Sequence, residues 1–174
     1  MRTFSFLAML IFISSAWAHE PGKDQGNCDS YPWDMNREWS LYLTDAIPWK
    51  ALAQTEPEAR YMPMDRRVDF QLLPSDQVKL VVPADKAPKA GTHAGLAPLR
   101  VPFPKRYRIS ANKPVWVEVL GPNGPVASTK FAAAMGCDKL VKSVIFKLDI
   151  ETDYWLQVTG ADLAQVDMLI TLDR

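Results

Sequence analysis

Histidine, cysteine and glycine are scarce in this 174-residue chain, which has two, two and eight of them. Each scarcity excludes something. A Ser-His-Asp site needs a histidine held between two placed partners, and neither His19 nor His93 has them; no GxSxG elbow occurs either. There is no glycine-rich phosphate loop of the Walker or dinucleotide kind. Charge of one sign is also missing. The 20 basic and 20 acidic residues balance, so nothing electrostatic argues for nucleic acid or an anionic membrane surface. After the first residues every apolar run is broken by charge, which leaves no membrane span in the rest of the chain.

The beginning is different. Met1-Arg2-Thr3 carries one positive charge, Phe4 to Ile13 is apolar except for Ser5, and Ala16-Trp17-Ala18 supplies small residues at the −3 and −1 positions of a cleavage site. This is the pattern of a secretory signal peptide over residues 1–18, with cleavage expected between Ala18 and His19. Its apolar stretch is short of the roughly 20 residues that a helical span requires. Removing residues 1–18 leaves 156 residues, enough for one domain with a real core. The expected location is periplasmic or secreted.

Export gives the two cysteines a meaning. Cys28 and Cys137 are expected to form a disulfide. Two free buried thiols, or a two-cysteine metal site completed by His19 or His93, are the alternatives.

Along the chain, residues 19–33 read as an extended polar segment pinned at Cys28. Met35, Trp39, Tyr42 and Ala46 recur at helical spacing, which predicts a helix from Asp34 to about Ala46, bounded by Pro32 and Pro48. Asp34 is its candidate cap, and Arg37 and Glu38 face away from the apolar stripe. Pro48, Pro57 and Pro63 make residues 47–66 irregular, with a helical turn at Glu56–Arg60. Residues 34–66 are expected to pack on the domain that follows.

From residue 67 to 174 the period is two. Strands are expected at 68–72, 78–82, 96–101, 107–110, 115–120, 126–131, 143–148, 154–158 and 166–172, with a loop at 83–95. Gly121-Pro122-Asn123-Gly124-Pro125 is a dense turn signal, which makes 114–131 a hairpin. Many short strands with frequent turns predict a mainly β fold, an antiparallel, jelly-roll-like β-sandwich with one N-terminal helix.

Two clusters carry a resemblance. One is Cys28-Asp29-Ser30-Tyr31-Pro32-Trp33-Asp34-Met35-Asn36-Arg37-Glu38. The other runs from Gly95 through Tyr107-Arg108-Ile109-Ser110, Trp116-Val117-Glu118-Val119, Gly136-Cys137-Asp138-Lys139 and Lys142-Ser143-Val144-Ile145-Phe146 to Leu156-Gln157-Val158-Thr159-Gly160. Together they resemble a group of small exported bacterial proteins that often bear the label homogentisate dioxygenase. The C-terminal half is similar to the β-sandwich of bacterial pre-peptidase C-terminal domains. The dioxygenase label implies an open Fe(II) site, for which two histidines and a carboxylate are usual. Here the histidines are His19, the first residue after cleavage, and His93, in the expected loop. Neither offers rigid ligand geometry, so the residues argue against that activity.

Three further groups are candidates. Asp149, Glu151 and Asp153 place carboxylates at alternate positions, as a Ca²⁺ loop would; the ordinary reading is an acidic turn, and no cofactor is otherwise implied. Trp33, Trp116 and Trp155 are candidate ligand-binding aromatics, Trp116 and Trp155 having the parity opposite to neighbouring valines. Trp39 belongs to the helix stripe, and Trp49 is a further tryptophan that is either core or exposed. Asp34 beside Trp33 is either part of a polar patch or only the start of a helix. The expected function is binding of a protein or glycan of the cell envelope without catalysis; a carbohydrate-binding module and a metal-dependent enzyme using Asp149–Asp153 or His93 are the alternatives.

Overall fold

A computed structural model of the chain describes residues 28–84, 89–150 and 152–174. The expected signal peptide, the cleavage site, His19 and Glu151 lie outside the described residues. The fold is mainly β, an antiparallel-dominated β-sandwich with a single α-helix. The strands are β1 (Ile47–Lys50), β2 (Val68–Gln71), β3 (Leu73–Pro74), β4 (His93–Leu99), β5 (Lys105–Ala111), β6 (Trp116–Gly121), β7 (Gly124–Pro125), β8 (Ser128–Ala133), β9 (Lys142–Leu148), β10 (Tyr154–Ala161) and β11 (Gln165–Leu172). One sheet has six strands in the order β1-β2-β11-β5-β9-β8, and the other five in the order β3-β4-β10-β6-β7.

Alternation builds the core. Tyr107, Ile109 and Ala111 of β5, Val144, Phe146 and Leu148 of β9, Val117 and Val119 of β6, and Tyr154, Leu156 and Val158 of β10 point inward and pack as one buried cluster. No helix among the described residues is long and apolar enough to cross a membrane.

The outer face of the six-stranded sheet is covered by the N-terminal strap. Helix α1 is Asn36–Tyr42, shorter than the 34–46 expected. Asp34 does act near its start, its Oδ1 accepting the Asn36 amide at 2.8 Å. Met35 joins Leu140 and Leu169 in a second buried cluster, with Tyr31, Trp33, Trp39, Leu41 and Tyr42 packed around it. The expected outward direction of Glu38 is corrected by the structure. Glu38 is buried, pairs with Arg108 of β5 at 3.0 Å, and accepts the Thr171 hydroxyl of β11. Arg108 also pairs with Asp173 at 2.6 Å, so two carboxylates answer one buried guanidinium. The disulfide forms: Cys28 and Cys137 are bonded, fastening the strap's start to the loop after β8.

Four other expectations are corrected. Residues 47–66 are not wholly irregular, since β1 pairs in parallel with β2. Pro48 is tolerated there because β1 is an edge strand, where a missing N–H costs little. Residues 78–82 form no strand. Val78, Leu80 and Val82 are half-buried between exposed Lys79 and Val81, but the segment joins no ladder: the Lys79 amide donates to the Ala53 carbonyl at 2.7 Å, Gln157 Oε1 accepts the Val81 amide at 2.9 Å, and Gln157 Nε2 donates to the Val82 carbonyl at 3.1 Å. Gln157 lies on the outer face of the five-stranded sheet, opposite in parity to Leu156 and Val158. The 83–95 loop ends early, because β4 begins at His93. Finally, 114–131 is not one hairpin. β7 pairs with β6 only at Leu120 and Gly121, after which the chain crosses to the other sheet and β8 pairs with β9.

Candidate functional site: a groove between two sheet edges

The divided hairpin creates the most site-like feature of the described residues. β6 and β8 are consecutive long strands, yet each lies on the same flank of a different sheet. The six-stranded sheet overhangs there. Directly opposed residues of an antiparallel pair share a face. Phe131 opposes Val144, and Ala133 opposes Lys142, which itself opposes core Ala111. All of these point inward. The five-stranded sheet ends before covering them, because β7 spans only Gly124–Pro125. The result is a groove of about 580 Å³.

Its walls are mostly apolar. Trp116 from the start of β6 is 48% exposed, Phe131 is 73% exposed and Met135 is 64% exposed. Val115 and Val141 form part of the lining, and the groove continues past the β6 edge onto the end of the five-stranded sheet, where Thr159 and Gly160 of β10 meet Thr92 and Lys89 before β4. Lys142 Nζ sits 4.6 Å from the Trp116 ring centre, a cation–π contact. Burial holds its amine below the ordinary lysine range. A second, shallower concavity of about 450 Å³ lies on the other face of β8, lined by Pro32, Trp33, Ser128, Thr129, Lys130 and Phe131. Among the described residues no strand pairs with the outer edge of β8.

The candidates named from the sequence are thus sorted. Trp33 and Trp116 flank β8 on opposite faces. Trp155 is elsewhere, half-buried on the outer face of the five-stranded sheet and opposed to Leu120 and Pro98. Trp49 is half-buried with Arg60 over its ring, and Trp39 is half-buried in the strap cluster. Asp34 lends its side chain to the helix start and its carbonyl to Arg108.

In the acidic turn, the Asp153 carboxylate is committed elsewhere too. Asp153 accepts the Tyr61 hydroxyl at 2.6 Å and pairs with Arg100; these contacts hold its carboxyl below the usual carboxylate range. Asp149 donates its amide to the Tyr154 hydroxyl at 2.9 Å. His93 is the first residue of β4, with its Nδ1 buried and unbonded among the described residues. The sole cluster of potential metal ligands found there is Cys28, Cys137 and Asp138, whose sulfurs are consumed by the disulfide.

Sequence reasoning missed Phe131, Met135 and Lys142. Phe131 looked like an ordinary strand residue, and its exposure depends on where the opposite sheet stops. Comparison with protein-family models, with curated proteins and with solved structures gives no match to this chain.

Proposed function

We propose that this chain is an exported, non-catalytic β-sandwich module that binds a partner protein by adding an extended segment of it to β8. The single observation that carries this reading is the edge of β8, which no other described strand pairs, lying between two concavities. An added strand directs alternate side chains to opposite faces of the sheet, so one set would enter the Trp116–Phe131 groove and the other the Trp33 concavity. Open edges are usually blunted by charge, proline, bulges or cover; β8 carries one lysine and an irregularity between Ser128 and Lys130, and beyond them it presents a largely exposed phenylalanine. The leader-like sequence at residues 1–18 and the disulfide support an extracytoplasmic setting, periplasmic or secreted.

Carbohydrate binding is the second reading, favoured by the exposed ring of Trp116. Against it, Lys142 already stands over that ring at cation–π distance, where a sugar face would lie.

The test is to pan a displayed library of short extended peptides against the disulfide-intact protein, then measure selected peptides against Trp116→Ala and Phe131→Ser. The reading expects binders that lose affinity by roughly tenfold or more in each variant, as for aromatic anchors at an interface. Binders indifferent to both substitutions would overturn it. So would an absence of peptide binders accompanied by glycan-array hits that Trp116→Ala abolishes.

A further inference from the structure

The groove contains a cation that no carboxylate of the described residues answers. Five arginines are paired with acids: Arg37 with Asp65, Arg67 with Asp167, Arg100 with Asp153, Arg106 with Asp173, and Arg108 with Glu38 and Asp173. Among the described residues no lysine makes an ion pair, and Lys142 is set apart by its place in the groove and the burial of its ammonium. It extends from the inward side of β9 into the half-enclosed groove, where its ammonium lies against the Trp116 ring. Among the described residues the other charged groups of the lining are Lys89, also a cation, and Asp162, which is exposed and makes no ion pair with either lysine. The described lining is therefore net positive, apolar around the cation and open on one side.

We propose that the segment taken up beside β8 carries an aspartate or glutamate whose carboxylate meets the Lys142 ammonium in the groove, with apolar residues at the neighbouring positions on the same face. This inference rests on the strand-addition reading and names the chemistry of its partner. The geometry requires a side-chain carboxylate, because an added strand passes along the groove and offers it side chains at every second position. The energetics point the same way. A half-buried ammonium is costly without a counter-ion, and the contact with the Trp116 ring offsets only part of that cost. A carboxylate in the groove restores the charged form of the amine and makes a charge-assisted hydrogen bond in a partly dry site. Groups kept at a cost to stability are characteristic of binding sites.

The experiment uses the disulfide-intact protein and an array of short synthetic peptides with alternating apolar residues. Each peptide is made with Glu and with Gln at the alternate positions, and each with a free and an amidated C-terminus. The expected result is that Glu versions bind roughly tenfold more tightly than Gln versions whatever the terminus. Lys142→Met should erase that preference while keeping the weaker binding common to both versions, with a melting temperature unchanged or raised. The preference should also fade as pH rises through the lowered pKa of Lys142. Equal binding of Glu and Gln versions to the native protein would overturn the proposal and leave strand addition standing. A preference that follows the free C-terminus, or survives in Lys142→Met, would overturn it as well. If no peptide binds, or if oligogalacturonate binds with the Lys142 dependence instead, strand addition and this proposal fall together. A dimer in sedimentation that buries β8 would have the same consequence, since a second copy would then be the occupant.

Discussion

The two flanks of the sandwich are finished in opposite ways. On the β1–β4 flank the sheets are stitched together. Ala51 donates its amide to Gln71 of the six-stranded sheet, and Leu52 then exchanges both backbone hydrogen bonds with Leu96 of the five-stranded sheet. β3 pairs with His93 and Ala94, and Met62 donates to the Pro98 carbonyl, so the edge of β4 is paired along much of its length. On the β6–β8 flank the described residues make no comparable links. The chain crosses between sheets once, and the edges of β6 and β8 diverge around the groove. One flank shows how this sequence closes an edge when closure is the goal. The other is therefore a departure that needs a reason, and ligand access supplies one.

The comparison can be broken at three places. The largest effect is expected from the tether beside the open flank. Replacing Cys28 and Cys137 by serine and alanine removes a link between residues 109 apart in sequence. It should cost about 4 kcal/mol in denaturant unfolding, with the strap and the loop after β8 losing protection first. Next comes Gly95→Ala on the closed flank. A Cβ there would lie 2.3 Å from the Ala51 Cβ and 3.0 Å from Leu72, against backbone that both sheets hold in place. A loss of roughly 1–3 kcal/mol is expected, and an unchanged midpoint would show that the stitched corner can yield. The smallest effect is Phe131→Ser on the open flank. Its exposure predicts a stability change within about 0.5 kcal/mol, while peptide binding is lost.

Lys142 adds a pH signature to the same contrast. Its folded pKa lies below the unfolded value, so between the two the unfolded chain binds more protons and stability rises with pH. Lys142→Met should lack that rise. Its stability relative to the native protein should be greatest below the folded pKa and shrink as pH climbs towards the ordinary lysine range, as urea titrations at several pH values would show.

What could be read from the sequence follows the same division. β5, β9, β10 and β11 were legible because one face of each fills the core, which enforces alternation. β1 and β3 were hidden by Pro48 and Pro74, which edge positions tolerate. The alternation at Val78, Leu80 and Val82 was a true sign of one-sided burial, but not of a ladder; Gln157, far along the chain, and the Ala53 carbonyl take up its amides. Glu38 looked like a solvated helix charge because its partner Arg108 lies in a strand 70 residues away. At the candidate site, parity correctly turned Trp116 away from the valines of β6. The groove itself could not be inferred, since it exists only because the two arms of an apparent hairpin belong to different sheets and one sheet is wider than the other.

The most direct test is amide hydrogen exchange along β8, with and without a peptide selected on the native protein. In the free protein the β8 amides that face away from β9 should exchange quickly, while those of β4 between Ala94 and Leu99 stay protected. With peptide, alternate amides of β8 should slow and β4 should be unchanged. Peptide binding that leaves β8 exchange untouched, or slows the outer face of the five-stranded sheet around Trp155 instead, would contradict the account.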